Sequence, residues 1–313
     1  MHLQKPKKLL KGDTIGIVSP ASSPDDLSRI NKGAAYFENL GYSVEVGKNV
    51  GKYYGYLAGS DEERIEDLHA MFANKNVKAI ICVRGGYGSP RLLDKIDYRL
   101  IKKNPKIFVG YSDITALQLA FLRKANLVTF GGPMVAVDFH GEINQYTEEN
   151  FWRTVTSVKK TGKVILPGNE QLQQITKGKA EGEITGGNLS LVLALLDTVF
   201  LPKMKNKILF LEDVDEAPYK IDRMLNQLSI SGLLKKIAGL VLGEFTDCEE
   251  KDADKKTLPL QEVLQKHLGD LRCPVIKNFP HGHREANFTI PFGIRTKINA
   301  DKGYVEFEEA AVI

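Results

Sequence analysis

The chain has 313 residues, of which 42% are hydrophobic and 26% are charged, the proportions of an ordinary globular protein. Its formal net charge is +4, but acidic and basic residues are interspersed, so a nucleic-acid partner is not predicted. No apolar stretch approaches the ~18 residues of a membrane-spanning helix, and the first residues lack the apolar core of a signal peptide. We therefore expect a cytoplasmic protein without a membrane partner.

The cysteines argue against two further kinds of site. Cys82, Cys248 and Cys273 are widely spaced, and none of them belongs to a Cys-x-x-Cys pair. Structural zinc sites and dithiol redox motifs use such closely spaced pairs. We expect reduced, buried thiols, and neither a metal nor another cofactor.

The first part of the chain alternates short apolar strands with helical patterns. Strands are predicted at residues 13–18, 43–46, 78–83, 106–109 and 127–130. One helix is predicted over about 25–40, and another begins at Ser60, which forms a capping box with Glu63. This alternation is typical of an α/β fold whose mostly parallel sheet is covered by helices on both faces. We assign residues 1–141 to an N-terminal domain.

The pattern changes after residue 141. Residues 142–179 contain a polar helix, predicted at 147–160, and a loop with proline and glycine, so we interpret them as the connection between two domains. Residues 180–313 are predicted to form a smaller, strand-rich C-terminal domain. Its clearest elements are a helix after Asn188, strands at 207–211 and 238–242, and a helix near 219–228.

The strand at 106–109 leads into a serine and then into an amphipathic helix. Apolar residues recur at helical spacing from Ile114 onward, so the turn falls at residues 110–113. A serine at such a turn stands clear of the sheet, and the N–H groups that follow face whatever its oxygen attacks. Ser112 is therefore a candidate nucleophile, although Ile114 replaces the second glycine of the G-x-S-x-G motif of α/β-hydrolases. The alternative is that Ser112 only caps a helix beginning at Asp113.

A glycine-rich loop at residues 84–88 (RGGYG) follows the third predicted strand. Its glycines allow the backbone to approach a ligand closely, and its N–H groups can bind a developing oxyanion. The loop lacks the Lys-Ser/Thr ending of a phosphate-binding loop, so nucleotide binding is not favoured. Arg84 can bind a substrate carboxylate or pair with Asp113, and the sequence leaves both open.

A serine nucleophile needs a histidine as base and an acid that orients it. His281 and His283 lie in a turn-rich segment that can direct an imidazole toward another part of the protein. Glu212 ends an apolar strand, where α/β proteins form their sites, but it can also belong to a hydrated acidic loop. His281, His283 and Glu285 have a spacing compatible with metal ligands, although Gly282 favours a turn instead.

Five motifs together resemble those of the LD-carboxypeptidase family, which includes the murein tetrapeptide carboxypeptidases and relatives that give immunity to microcin C7. They occur in the order of the family and span nearly the whole chain. They are residues 84–88 (RGGYG), 110–113 (GYSD), 186–189 (GGNL), 209–213 (LFLED) and 282–293, which holds Gly-His, Asn287 and Pro-Phe-Gly. The resemblance implies an N-terminal α/β domain related to class I glutamine amidotransferases and a smaller, strand-rich C-terminal α/β domain.

The same resemblance implies a Ser-Glu-His triad. Ser112 would be the nucleophile, His283 the general base and then acid, and Glu212 the residue that orients the imidazole. The N–H groups of Gly86 and Asp113 would bind the oxyanion. Because the serine and its partners come from different domains, the site is expected in the cleft between them.

The implied reaction is hydrolysis of an L,D-amide bond, which releases a terminal D-alanine from a muropeptide tetrapeptide during peptidoglycan recycling. It uses no cofactor, and proteins of this family are usually homodimers. The alternatives are an immunity-type hydrolase of aminoacyl-nucleotide conjugates and a non-catalytic protein that binds muropeptides. Trp152 is the only tryptophan and lies in the predicted connection, which favours the muropeptide because stacking of a base needs aromatic surface at the site.

Overall fold

The computed structural model describes residues 3–252 and 254–313. Its strands are β1 (Thr14–Val18), β2 (Ser43–Val46), β3 (Val77–Cys82), β4 (Ile107–Gly110), β5 (Thr129–Gly131), β6 (Gly162–Lys163), β7 (Gln173–Thr176), β8 (Lys179–Asn188), β9 (Ile208–Val214), β10 (Gly239–Thr246), β11 (Val275–Lys277), β12 (Ile290–Phe292), β13 (Arg295–Asn299) and β14 (Tyr304–Phe307). Its helices are α1 (Ser28–Asn39), α2 (Asp61–Ala73), α3 (Tyr98–Lys103), α4 (Thr115–Ala125), α5 (Gln145–Thr156), α6 (Leu189–Ala194), α7 (Pro218–Ile230) and α8 (Leu260–Leu268). Within the described ranges, no helix is both long and apolar enough to cross a membrane.

The first sheet has six strands in the order β12-β5-β4-β3-β1-β2, and β1 to β5 run parallel. Adjacent residues of the central strand β3 show why this strand is largely apolar. Ile80 belongs to a core with Phe72 of α2, whereas Ile81 belongs to a core with Phe37 of α1. Helices thus cover both faces, and the predicted α/β class is confirmed.

The edge strand β12 comes from the C-terminal part of the chain. It pairs antiparallel with β5, so that Pro291 lies opposite Phe130. Local pattern does not predict this pairing, because the partner strand lies about 160 residues away in sequence and β12 has three residues. A segment from the predicted C-terminal domain therefore completes the first sheet. The domain boundaries at 141 and 179 stay a prediction.

The second sheet has eight strands in the order β6-β14-β13-β8-β9-β10-β11-β7. Strands β8 to β11 are parallel, and antiparallel pairs flank them. The predicted strands at 207–211 and 238–242 are β9 and β10. The ten-residue strand β8 was not predicted, because it combines charged residues, threonine and glycine without a clean alternation.

Helix α5, from the predicted connection, packs on the side of the first sheet. Trp152 stacks on Tyr42 with ring centroids 5.1 Å apart, and its indole N–H donates a 2.9 Å hydrogen bond to Tyr36 Oη. The neighbouring Phe151 is fully buried. Aromatic packing therefore ties the start of the connection to helix α1 and the strand that follows it.

The two sheets approach each other where β8 ends against α4. A Cβ on Gly187 would lie 2.5 Å from Thr115 Oγ1, so only glycine allows this approach. The Asn188 N–H donates a 3.1 Å hydrogen bond to the same hydroxyl. Because Asn188 lies beside Glu212 in the parallel pair β8–β9, this contact brings the end of β9 toward Ser112, three residues before Thr115.

Candidate active site

Ser112 lies in a sharp turn between β4 and α4. Its φ is +62°, a left-handed conformation that costs a residue with a side chain about 1–3 kcal/mol. A short 3₁₀ turn, Ser112–Ile114, precedes α4, and neither helical segment has a side-chain cap. The alternative that Ser112 caps the helix is therefore wrong. Its hydroxyl has no hydrogen-bond partner among the described residues, so it is free for chemistry.

The glycine-rich loop packs directly against Ser112. A Cβ on Gly85 would lie 2.9 Å from Ser112 Cβ and 3.0 Å from Ser112 Oγ, so the backbone at Gly85 leaves no room for a side chain. Gly86 has a φ of +110°, which favours glycine. The N–H groups of Gly86 and Asp113 donate no hydrogen bond within the described parts of the chain. Free donors beside a nucleophile are what an oxyanion requires.

The carboxylate of Asp113 holds this loop. It accepts a 2.8 Å hydrogen bond from the Ser89 N–H, and the Ser89 hydroxyl donates to the Asp113 carbonyl at 2.5 Å. Burial raises the pKa of Asp113, and the hydrogen bonds from Ser89 oppose this shift. Arg84 has no ion pair or hydrogen bond with any described residue. Of the two roles left open for Arg84, pairing with Asp113 does not occur.

His283 and Glu212 form a hydrogen-bonded pair. Nδ1 of His283 lies 3.0 Å from Oε2 of Glu212, whose side chain is 1% exposed. Burial alone lowers the pKa of His283, but the hydrogen bond to Glu212 and the charges of Glu212, Asp213 and Asp138 outweigh it and raise the pKa. A neutral His283 whose Nδ1–H donates to Glu212 has Nε2 free to accept a proton. Glu212 therefore does not belong to a hydrated loop.

Tyr111 connects the pair to the serine. Its ring is buried and lies edge-on to His283, with ring centroids 5.3 Å apart. The structure thus places the residue before Ser112 against the imidazole. No hydrogen bond joins Ser112 Oγ to His283 within residues 3–252 and 254–313. Such contacts are often long in a free enzyme and shorten when the substrate binds.

The second imidazole, His281, is 1% exposed and packs against Phe210. Its Nδ1 lies 2.6 Å from the carbonyl oxygen of Phe288, so Nδ1 carries the proton. Burial lowers the pKa of His281 to about 4, which keeps it neutral. Among the described residues, no three His, Cys, Asp or Glu side chains are grouped as metal ligands, so His281, His283 and Glu285 do not form such a set.

A polar cavity of about 910 Å³ has His283 in its wall. Arg284, the next residue, also lines it and pairs with Glu170 from the connection and Glu244 from β10. A second cavity of about 530 Å³ shares Asn144 with the first and is lined by Asp138. Asp138 was not predicted as a site residue. Burial raises its pKa to about 6, and its charge acts on His283. Its position in the turn after β5 carries no local signal.

Comparison with known proteins gives the family. The LD-carboxypeptidase N-terminal domain matches residues 15–132, and the LD-carboxypeptidase C-terminal domain matches residues 181–298. The chain belongs to the LD-carboxypeptidase family. The resemblance derived from the five motifs is therefore confirmed, and peptidase activity of the carboxypeptidase type follows from membership.

Relatives in this family carry two kinds of name. The chain is 40% identical over 296 residues to the "Probable murein peptide carboxypeptidase" of Bacillus subtilis (strain 168), covering 94% of this chain and 91% of the relative. It is 30% identical to the "Microcin C7 self-immunity protein MccF" of Escherichia coli, covering 96% of this chain and 94% of the relative.

Solved structures of LD-carboxypeptidase relatives show the same two names. MccF in complex with aspartyl sulfamoyl adenosine superimposes with a TM-score of 0.89 at 27% identity, covering 99% of this chain and 100% of that chain. The muramoyltetrapeptide carboxypeptidase from Oxalobacter formigenes superimposes with a TM-score of 0.82 at 32% identity, covering 94% of this chain and 97% of that chain. The two-domain fold of the family is thus shared, and the substrate needs separate evidence.

Proposed function

We propose that this protein is a serine LD-carboxypeptidase that releases a terminal D-alanine from muropeptide tetrapeptides, a step of peptidoglycan recycling. The observation that carries the proposal is the contact of His283 with the buried Glu212, since Tyr111 packs this imidazole against the turn that holds Ser112. A relative at 40% identity with a murein-related name supports the choice of substrate.

In the proposed mechanism, Ser112 Oγ attacks the carbonyl carbon of the L,D-amide while His283 Nε2 takes the hydroxyl proton. The N–H groups of Gly86 and Asp113 bind the resulting oxyanion. His283 then gives its proton to the amide nitrogen, the C–N bond breaks, and D-alanine leaves with a free amino group. Glu212 stabilises the transient imidazolium throughout.

A water molecule completes the proposed cycle. It attacks the acyl-Ser112 ester and gives a proton to His283, and the collapse of the second oxyanion returns that proton to Ser112. The shortened peptide leaves with a new carboxylate. The water oxygen enters the new carboxylate, one of its hydrogens restores the Ser112 hydroxyl, and the other is released as a proton. The reaction is therefore balanced without an oxidant, metal or cofactor.

The second candidate is hydrolysis of an aminoacyl-nucleotide conjugate, which the solved complexes of MccF with sulfamoyl nucleotides favour. In this chain the ring of partly buried Trp152 stacks on Tyr42, and its N–H donates to Tyr36, so it takes part in the packing of α5.

The deciding experiment incubates the protein with a muropeptide tetrapeptide and, separately, with aspartyl sulfamoyl adenosine, and follows both by mass spectrometry. We expect the tetrapeptide to lose one D-alanine, and the same peptide ending in L-alanine to stay intact. Cleavage of the nucleotide alone would establish the second candidate. Tight binding of the tetrapeptide without turnover would identify a non-catalytic binding protein.

We further propose that Arg84 binds the terminal carboxylate of the substrate, because it is a cation beside the nucleophile loop without a partner in the described chain. Arg84→Gln is expected to lower kcat/KM about 10- to 100-fold, the value of a hydrogen bond to a charged group. A tetrapeptide with a C-terminal amide is the matched control, since it lacks the charge. If Arg84→Gln lowers kcat/KM equally on the acid and the amide, Arg84 does not bind the carboxylate.

A further inference from the structure

The proposed base stands on a short closed loop, residues 280–288, which we name the His283 loop. The Phe288 N–H donates a 2.6 Å hydrogen bond to the Pro280 carbonyl and closes the loop at its ends. Gly282, directly before His283, has a φ of +138°. The direction of the imidazole therefore depends on a residue whose backbone has unusual freedom.

One buried side chain restrains that glycine. Asn287 is 0% exposed, and its Nδ2 donates a 3.1 Å hydrogen bond to the Gly282 carbonyl. Its Oδ1 accepts a 3.4 Å hydrogen bond from the Gly282 N–H. The amide thus binds both polar groups of one backbone residue. An asparagine amide carries its donor and its acceptor on two separate atoms, so it can bind both groups at once, whereas the carboxylate of an aspartate at neutral pH has no donor.

The backbone of Asn287 is held by helix α5. Its N–H donates a 2.7 Å hydrogen bond to the hydroxyl of Thr147, which donates to the Glu285 carbonyl at 2.5 Å. Thr147 belongs to α5, which packs on helix α1 beside the first sheet through Trp152. Through these contacts, the part of the protein that carries Ser112 also holds the loop that carries His283.

We propose that Asn287 is a positioning residue, which keeps His283 in contact with Glu212 by clamping Gly282. This role rests on the proposed function, because it matters for catalysis only if His283 is the base. Asn287 is fully buried and forms no hydrogen bond with Ser112, His283 or Glu212 within the described chain. Its removal leaves the buried N–H and carbonyl of Gly282 without their partner, so the loop can turn His283 away from Glu212.

The test uses Asn287→Ala and the nearly isosteric Asn287→Asp, which loses the donor to the Gly282 carbonyl. We expect kcat on the tetrapeptide to fall on the order of 10²-fold while KM changes by less than about threefold, since the misplaced group acts in the chemical step. Thermal unfolding establishes that each variant is folded. Should Asn287→Ala fail to fold, Asn287→Asp carries the test.

A second measurement needs no substrate. The pKa of His283 is read by NMR of the histidine-labelled protein, with His283→Gln assigning the signal. Glu212, Asp213 and Asp138 face this imidazole and raise its pKa, so a weaker contact with Glu212 in Asn287→Ala should lower it, in the same direction as Glu212→Gln. Asn287→Asp is left out of this measurement, because its new carboxylate would itself raise the pKa of a nearby histidine. A general loss of stability would reduce the folded fraction without moving this pKa.

The matched controls are two threonines of α5. Thr147→Val removes the hydroxyl that contacts the His283 loop, and Thr154→Val removes a buried hydroxyl without a partner in the described chain. We expect only Thr147→Val to lower kcat and the pKa of His283. If Asn287→Ala keeps the wild-type pKa of His283 and both variants keep the wild-type kcat, the positioning role is overturned. If wild type does not cleave the tetrapeptide, the proposed function fails, while the NMR result still decides on Asn287.

Discussion

Ser112→Ala is expected to lower kcat on the muropeptide tetrapeptide on the order of 10⁴-fold or more, because no other group can form the acyl intermediate. The fold should be unaffected. The Ser112 hydroxyl has no hydrogen-bond partner in the described chain, so the free energy of unfolding should stay within about 0.5 kcal/mol of wild type. Initial rates and chemical denaturation measure the two quantities.

The control for this variant is Ser43→Ala, at an exposed position on the edge strand β2, which should keep full activity. A serine-reactive fluorophosphonate should label wild type once and leave Ser112→Ala unlabelled. Activity of Ser112→Ala within a few fold of wild type would remove the nucleophile from the proposal. The family assignment would be unchanged, because it rests on matches over residues 15–132 and 181–298.

Gly85→Ala should produce the second large loss, on the order of 10²- to 10³-fold in kcat, comparable to the loss of an oxyanion donor. The new methyl group would lie 2.9 Å from Ser112 Cβ, closer than unbonded carbon atoms approach. Either Ser112 or the loop with the free Gly86 N–H must move. Ser112 is held in a strained turn, and Asp113 anchors the loop. A shift of either Ser112 or the loop therefore disturbs the geometry of attack.

Gly141→Ala is the matched control, because a Cβ at this exposed glycine has nothing within 4 Å. It should keep wild-type kcat and KM. Steady-state kinetics on the tetrapeptide distinguish the two glycines, and circular dichroism shows whether each variant is folded. Full activity of Gly85→Ala would mean that the loop does not form part of the site.

Much of the first sheet was predicted because its signals are local. The parallel strands β1 to β4 coincide with apolar runs, and Ser60 with Glu63 forms the predicted capping box at the start of α2. The turn at Ser112 was located from the change between strand and helix patterns. Its left-handed backbone was not predicted, since a single dihedral angle of a non-glycine residue leaves no mark in periodicity.

The features that were not predicted from the sequence depend on long-range pairing. Strand β12 joins the first sheet from the far end of the chain, and β8 forms the centre of the second sheet without an alternating pattern. Asp138 reaches the surroundings of His283 although it follows an unrelated strand. None of these contacts can be derived from neighbours in sequence, because each depends on how the two sheets pack.

The amino-acid order alone thus predicted an α/β protein, its family motifs and the three residues that we propose as a serine-hydrolase triad. These properties follow from periodicity, turn chemistry and motif order, all of which are written locally along the chain. The contact of His283 with Glu212, the free Arg84 and the clamp of Asn287 on Gly282 were decided only by the folded chain. Hydrogen bonds and burial depend on distances between remote segments, and packing alone sets those distances.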